Sequence, residues 1–102
     1  MSIVIAGRVS IKADAKEAAT ERATELATLS RAEEGCNDYR FAFDMEDPNV
    51  VLIYEHWESE EALNAHMATP HFMSFTEFIV SVVAGPVDLL RHEVTASRPL
   101  FG

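Results

Sequence analysis

The length, composition and charge of the chain narrow the classes of protein to consider. Its 102 residues match the size of one domain, and 48% hydrophobic with 25% charged residues is ordinary globular composition. The net charge of −9 repels phosphate backbones and anionic lipids, so we expect neither nucleic acid nor a membrane as a partner. A single cysteine, no secretory signal pattern and no apolar run of about 20 residues favour a soluble, cytoplasmic protein.

The first third of the chain predicts a strand followed by a helix. β-Branched residues alternate with polar ones over residues 3–12, which is typical of a half-buried strand. Asp14 is predicted to cap the helix, with Glu17 completing a capping box. An alanine-rich apolar stripe continues the helix to about Glu33, and Gly35 is its predicted stop.

The rest of the chain predicts a hairpin, two helices and a last strand. Residues 37–45 and 50–57 flank a short turn and should pair antiparallel. Ser59 is a predicted cap for a helix over residues 60–67, and Thr69-Pro70 starts another that ends at Gly85-Pro86, before a strand over residues 87–95.

This order, β-α-β-β-α-β with a divided second helix, is the ferredoxin-like α+β arrangement, one antiparallel sheet with helices on one face. We expect it to form a single domain over residues 1–102.

The third strand indicates a homodimer. Leu52, Tyr54 and His56 point to one side of this strand and a second apolar set points to the other. Helices cover only one face of such a sheet, so we expect the other face to pack against a second copy. The alternative is that Leu52 and Tyr54 are isolated exposed residues beneath the C-terminal tail.

Glu55 and His66 are the candidate catalytic residues. Glu55 shares a strand face with Trp57, and His66 shares a helix face with Leu63 and Met67, so both point toward apolar surroundings. A carboxylate that orients a histidine produces a general base near neutral pH. The alternative is a structural pair in the core, and Trp57 is itself more typical of a core residue.

The remaining histidines do not predict a metal site. His66 and His71 are five residues apart and would not share a face of one helix, while His56 and His92 have no partner identifiable from the sequence.

Two segments resemble the antibiotic biosynthesis monooxygenase (ABM) family. They are Glu33-Glu34-Gly35-Cys36 with Tyr39, and Glu55-x-Trp57-Glu58-Ser59 followed by Leu63-x-x-His66-x-x-Thr69-Pro70-His71. The resemblance implies a dimeric α+β barrel formed from two facing sheets. It also implies oxidation of a quinol or polycyclic phenol by molecular oxygen, with no metal or flavin cofactor.

The resemblance also implies roles for individual residues. His66 would be the base or proton shuttle and Glu55 would orient it, while Trp57, Tyr39 and His71 would contact a small aromatic substrate. Two other functions stay open: an isomerase of a small phosphorylated dicarbonyl and a non-catalytic module for hydrophobic ligands. The isomerase would need basic residues for the phosphate, and Arg40 and Arg91 are the candidates.

Overall fold

A four-stranded antiparallel sheet with helices on one face forms the architecture. The computed structural model describes all 102 residues. The strands are β1 (Ser2–Ile11), β2 (Cys36–Phe43), β3 (Val50–Trp57) and β4 (Val83–Val94), and the helices are α1 (Lys16–Arg31), α2 (Glu60–Met67) and α3 (Pro70–Val82). The predicted ferredoxin-like order, with its divided second helix, is confirmed. None of the three helices has both the length and the apolar character needed to cross a bilayer.

The sheet order β2-β3-β1-β4 places β1 and β3 at the centre. In the register Ile3 lies opposite Trp57, and Ile5 lies opposite Glu55, so these side chains share the face that the helices cover. The core lies between this face and the helices. Its buried hydrophobic members form two groups: Ile3, Leu26, Ala27, Tyr39, Trp57 and Leu63; and Val9, Ile11, Ala19 and Val51.

The start and end of α1 differ from prediction. No side chain caps its N-terminus, so the predicted capping box of Asp14 and Glu17 is wrong, and a short 3₁₀ turn over residues 13–15 leads into the helix instead. The helix ends at Arg31, and Gly35 lies in the turn that follows, with φ +83°. A Cβ on Gly35 would approach Ala62 Cβ to 2.6 Å, so this turn requires glycine for both conformation and space.

The junction of α3 and β4 also differs from prediction. The helix ends at Val82, and the strand begins at the next residue, so Gly85-Pro86 lies inside β4 and does not stop the helix. Because β4 is an edge strand, a proline within it need not remove a ladder hydrogen bond.

The second face of the sheet is open, as predicted. Leu52 and Tyr54 on β3 are 38% and 40% exposed, and Leu90 on β4 is 66% exposed. The tail residues Leu100 and Phe101 are themselves almost fully exposed, so the C-terminal tail does not bury its own apolar side chains there.

Candidate active site

A carboxylate and two imidazoles converge at one end of the helical layer. Glu33 Oε2 lies 2.7 Å from Nδ1 of His66 and 2.8 Å from Nε2 of His71. An ionised carboxylate only accepts hydrogen bonds, so each imidazole directs an N–H toward Glu33. We call Glu33, His66 and His71 the Glu-His-His cluster.

A break between two helices produces this cluster. On one continuous helix, residues five apart would point about 140° away from each other. Instead, α2 ends at Met67 and Thr69 caps α3, its Oγ1 accepting a hydrogen bond from the amide of Phe72 and donating one to the carbonyl of His66. The sequence-based conclusion that His66 and His71 do not form a pair is therefore wrong, because they lie on separate helices that both face Glu33.

His66 is fully buried among aromatic rings. Its ring centroid lies 4.5 Å from that of Trp57, 5.0 Å from that of Phe72 and 5.2 Å from that of Tyr39. Burial lowers the pKa of His66, although the Glu33 carboxylate opposes this shift. The neutral imidazole therefore predominates near pH 7, with Nδ1–H directed at Glu33 and a lone pair on Nε2. That Nε2 atom is buried and has no hydrogen-bond partner.

Glu55 does not orient His66, which corrects the predicted pairing. Its carboxylate accepts a hydrogen bond of 2.9 Å from Nε1 of Trp57, whereas Glu33 holds the imidazole of His66. Glu55 is only 7% exposed, and burial raises its pKa, although the bond from Trp57 opposes that shift. The prediction that Glu55 and His66 both point inward is confirmed, and Trp57 lies between them because it contacts both.

Tyr39 and Trp57 are core residues, which the alternative interpretation of Trp57 predicted. Both are buried, their ring centroids lie 6.1 Å apart in an edge-to-face contact, and neither lines either of the two cavities described below. Burial, reinforced by the Glu55 carboxylate, raises the pKa of Tyr39, so its phenol stays protonated near neutral pH.

An apolar cavity of about 260 Å³ lies between α1, α3 and the sheet. Eleven of its 15 lining residues are hydrophobic, among them Phe41 and Phe75, so its surface suits an apolar ligand. Arg31 and Arg40 also line it and supply positive charge. Tyr39, Trp57 and His71, which were predicted from the sequence to contact an aromatic substrate, do not line this cavity, whereas Arg40, a candidate phosphate contact, does.

A second cavity of about 230 Å³ brings His71 next to open space. It lies between α1 and the start of α3 and is more polar than the first. Phe75 lines both cavities and so lies between them. The imidazole of His71 is 24% exposed and lines this cavity, so solvent reaches the Glu-His-His cluster through His71; the side chain of Glu33 is 16% exposed.

Glu33 is the site residue that the sequence did not single out as a partner of the histidines. It lies 33 residues before His66 and 38 before His71, so no local periodicity connects them. One sequence feature could have drawn attention to Glu33: it lies two residues before Gly35. A tight turn that requires glycine determines the backbone path, and therefore where the side chains next to it point.

The fold and the site together define a ferredoxin-like α+β protein with a partly buried Glu-His-His cluster and a separate apolar cavity. The family model for antibiotic biosynthesis monooxygenases matches residues 2–77. The chain therefore belongs to this family, as its two motifs predicted. Membership indicates a monooxygenase that acts on a small molecule.

Named relatives agree with this assignment. "Putative monooxygenase YcnE" of Bacillus subtilis is 29% identical over 91% of this chain and 98% of its own length. "Probable quinol monooxygenase YgiN" of Escherichia coli K12 is 26% identical over 82% of this chain and 83% of its own. A solved structure of a conserved protein from Bacteroides thetaiotaomicron, 30% identical, superposes with a TM-score of 0.84 over 91% of this chain and 97% of that one.

Proposed function

We propose that the protein is a cofactor-independent monooxygenase that oxidises a quinol or polycyclic phenol with molecular oxygen. The observation that carries the proposal is Nε2 of His66, a buried nitrogen with a lone pair and no partner. Buried polar atoms are nearly always hydrogen-bonded, so an unpartnered basic nitrogen is suited to accept a proton from a substrate. A relative named as a quinol monooxygenase supports the choice of substrate.

The apolar cavity is the proposed substrate site. Its volume of about 260 Å³ lies just below the range of roughly 300–1,000 Å³ typical of ligand pockets, which favours a small aromatic molecule. Phe75 separates this cavity from the second cavity, which lies beside His71. We expect substrate to displace Phe75 so that its hydroxyl group reaches the Glu-His-His cluster.

The proposed reaction starts with proton transfer from the phenol to Nε2 of His66. Glu33 holds Nδ1–H and stabilises the imidazolium that forms, so it is a positioning residue. The phenolate gives one electron to oxygen, and the resulting radical and superoxide combine to form a carbon–oxygen bond. Loss of water from this peroxide leaves a quinone, so one oxygen atom enters the product and the other leaves as water. The dry surroundings of His66 limit hydrolysis and proton leakage.

The test uses 1-naphthol and related naphthoquinols as probes under ¹⁸O₂ and under nitrogen. We expect the oxidised product to carry one labelled oxygen atom and turnover to stop under nitrogen. His66→Gln should slow turnover by about 10²–10⁴-fold, the usual contribution of a general base. Glu77→Gln, which changes an exposed side chain on α3 outside both the cluster and the open sheet face, is the control and should keep the rate. Turnover under nitrogen, or full activity of a folded His66→Gln variant, would contradict the proposal.

A second candidate is the isomerase of a small phosphorylated dicarbonyl, and the two arginines at the cavity favour it. Arg31 and Arg40 both line the cavity and could hold a phosphate group. Arg31 also donates to the carbonyl of Tyr39, and Arg40 pairs with Asp38 at 2.7 Å, so a phosphate would compete with these partners. Arg91, the other residue suggested by the sequence, pairs with Glu60 at 2.7 Å and does not line the cavity. This reaction needs no oxygen, so the assay under nitrogen with a phosphorylated dicarbonyl distinguishes the two functions.

We also propose that the active form is a homodimer joined through the open face of the sheet. The support is the exposure of Leu52, Tyr54 and Leu90 on a face that no helix covers. A second copy would cover these side chains by the same contacts in both directions.

A further inference from the structure

We infer that Glu33, His66 and His71 bind a divalent transition-metal ion of the zinc, cobalt and nickel class. The oxygenase proposal needs no ion, so this site goes beyond it. An ion on Nδ1 of His66 would replace the hydrogen bond to Glu33 and leave the imidazole proton on Nε2, so the metal-bound chain would lack the proposed base. The three residues come from the turn after α1, from α2 and from α3, yet their ligand atoms all lie within 4.8 Å of one another.

The types of ligand atom define the class of ion. Two imidazole nitrogens and one carboxylate oxygen suit zinc and its first-row neighbours, whereas magnesium and calcium prefer sites made of oxygen ligands. Three protein ligands also leave a coordination position open, as catalytic zinc sites do. Here His71 lines the second cavity and Glu33 is partly exposed, so water or a small ligand has access to that position.

The geometry requires little rearrangement. The present N···O distances of 2.7 and 2.8 Å are those of hydrogen bonds. Ligands about 2.0–2.2 Å from a tetrahedral ion lie roughly 3.3–3.6 Å apart, so each imidazole nitrogen must move away from the Glu33 oxygen by somewhat less than about 1 Å. The three ligand atoms already lie within 4.8 Å of one another. His71 can make this movement, because it lies in the first turn of α3 with its ring partly exposed.

The surroundings hold the ligands in place. His66 packs against Trp57 and Phe72, which fix its ring plane. The second cavity, beside His71, is lined by Arg22 and Glu25 of α1. The guanidinium of Arg22 donates hydrogen bonds to Ser74 of α3. An incoming cation therefore approaches a carboxylate and two imidazoles, while the nearby guanidinium of Arg22 is engaged by Ser74.

Zinc titration by calorimetry and the visible spectrum of cobalt(II) test the site on tag-free, metal-free protein. We expect one ion per chain, cobalt bands typical of mixed nitrogen and oxygen ligation, and no magnesium binding at this cluster. His71→Ala should weaken zinc binding by at least about 10–100-fold, since even outer-shell partners contribute that much. Glu33→Gln should also weaken it while it keeps the side-chain size.

His92→Ala provides the matched control, because it removes an exposed histidine outside the cluster and should leave affinity unchanged. Circular dichroism confirms that each variant is folded. Absence of one-to-one zinc binding, or equal affinities of His71→Ala and His92→Ala, would overturn the inference. The titrations contain no substrate, so their outcome is independent of whether the oxygenase proposal holds.

Discussion

Glu55 is a buried carboxylate whose ionisation should lower the stability of the folded protein. Burial raises its pKa above the ordinary value of 4.5, so the folded chain holds this proton more tightly than the unfolded chain. The associated stability is fully present below about pH 4.5 and is lost as the pH rises through the raised pKa. Glu55→Gln keeps an acceptor for Trp57 but never ionises, so it should be more stable than the wild type near pH 7–8.

Urea unfolding of both proteins between pH 4 and pH 8 measures this effect. The stability difference should shrink toward zero as the pH falls to 4.5. Glu77→Gln on the exposed surface of α3 is the control, and it should show no such pH-dependent gain. The explanation would be refuted if the stability gain of Glu55→Gln over the wild type were no larger at pH 8 than at pH 4.

At the scale of single residues, the sequence predicted which way the site side chains point but not which residues they hydrogen-bond. Alternation along β3 and helical spacing in α2 correctly indicated that Glu55 and His66 point inward, since both are buried. Their partners were not predictable from local periodicity. The partner of Glu55 is two residues away on the same strand, while the partner of His66 is 33 residues away in a turn.

The break between α2 and α3 is the element on which the Glu-His-His cluster depends. Thr69 stabilises it by accepting a hydrogen bond from the amide of Phe72 and donating one to the carbonyl of His66. Thr69→Ala should therefore lower the free energy of unfolding by about 1 kcal/mol, the usual contribution of an N-cap. Urea denaturation is the measurement.

Thr76→Ala is the matched control within the same helix. Thr76 is exposed, and its hydroxyl donates only to the carbonyl one turn earlier, so alanine should be nearly neutral or slightly stabilising there. Thr69→Ser should retain most of the stability. Equal effects of the two alanine substitutions would show that Thr69 does not act as a cap.

Boundaries were predictable where local side-chain chemistry determines them. Ser59 and Thr69 are caps as predicted, and β3 occupies the predicted residues 50–57. The wrong boundaries are those that tertiary contacts determine. Asp14 does not cap α1, and Gly85-Pro86 lies within an edge strand that pairs with β1. The alternation of a hairpin is visible in the sequence, but pairing between the first and last strands is not.

At the scale of the whole molecule, the apolar cavity and the Glu-His-His cluster are neighbours but do not share lining residues. The apolar cavity lies under α1 and α3, while the Glu-His-His cluster lies where α2 meets α3. Phe75 lies between the apolar cavity and the second cavity beside His71, because it lines both. Sequence patterns placed Glu55, His66 and His71 on the correct strand and helices, but the position of a cavity depends on how side chains from five elements pack together.

The open face of the sheet leads to a prediction about assembly. Tyr54 and Leu90 lie on either side of Ala6 in the register, so they form one apolar row across β3, β1 and β4. Such a row favours association with a second copy, and most oligomers of this kind are two-fold dimers. Analytical ultracentrifugation of the wild type should give about twice the chain mass of 11.3 kDa.

Tyr54→Glu should shift this equilibrium toward the monomer, because the dimer would have to bury an unpaired carboxylate. Met73→Glu is the control, since Met73 is 54% exposed on α3 and lies outside the sheet face. This second variant should sediment like the wild type. A wild type that stays monomeric at every concentration, or a Tyr54→Glu variant as dimeric as Met73→Glu, would exclude this face as the dimer interface. In that case the exposed apolar row would need another partner.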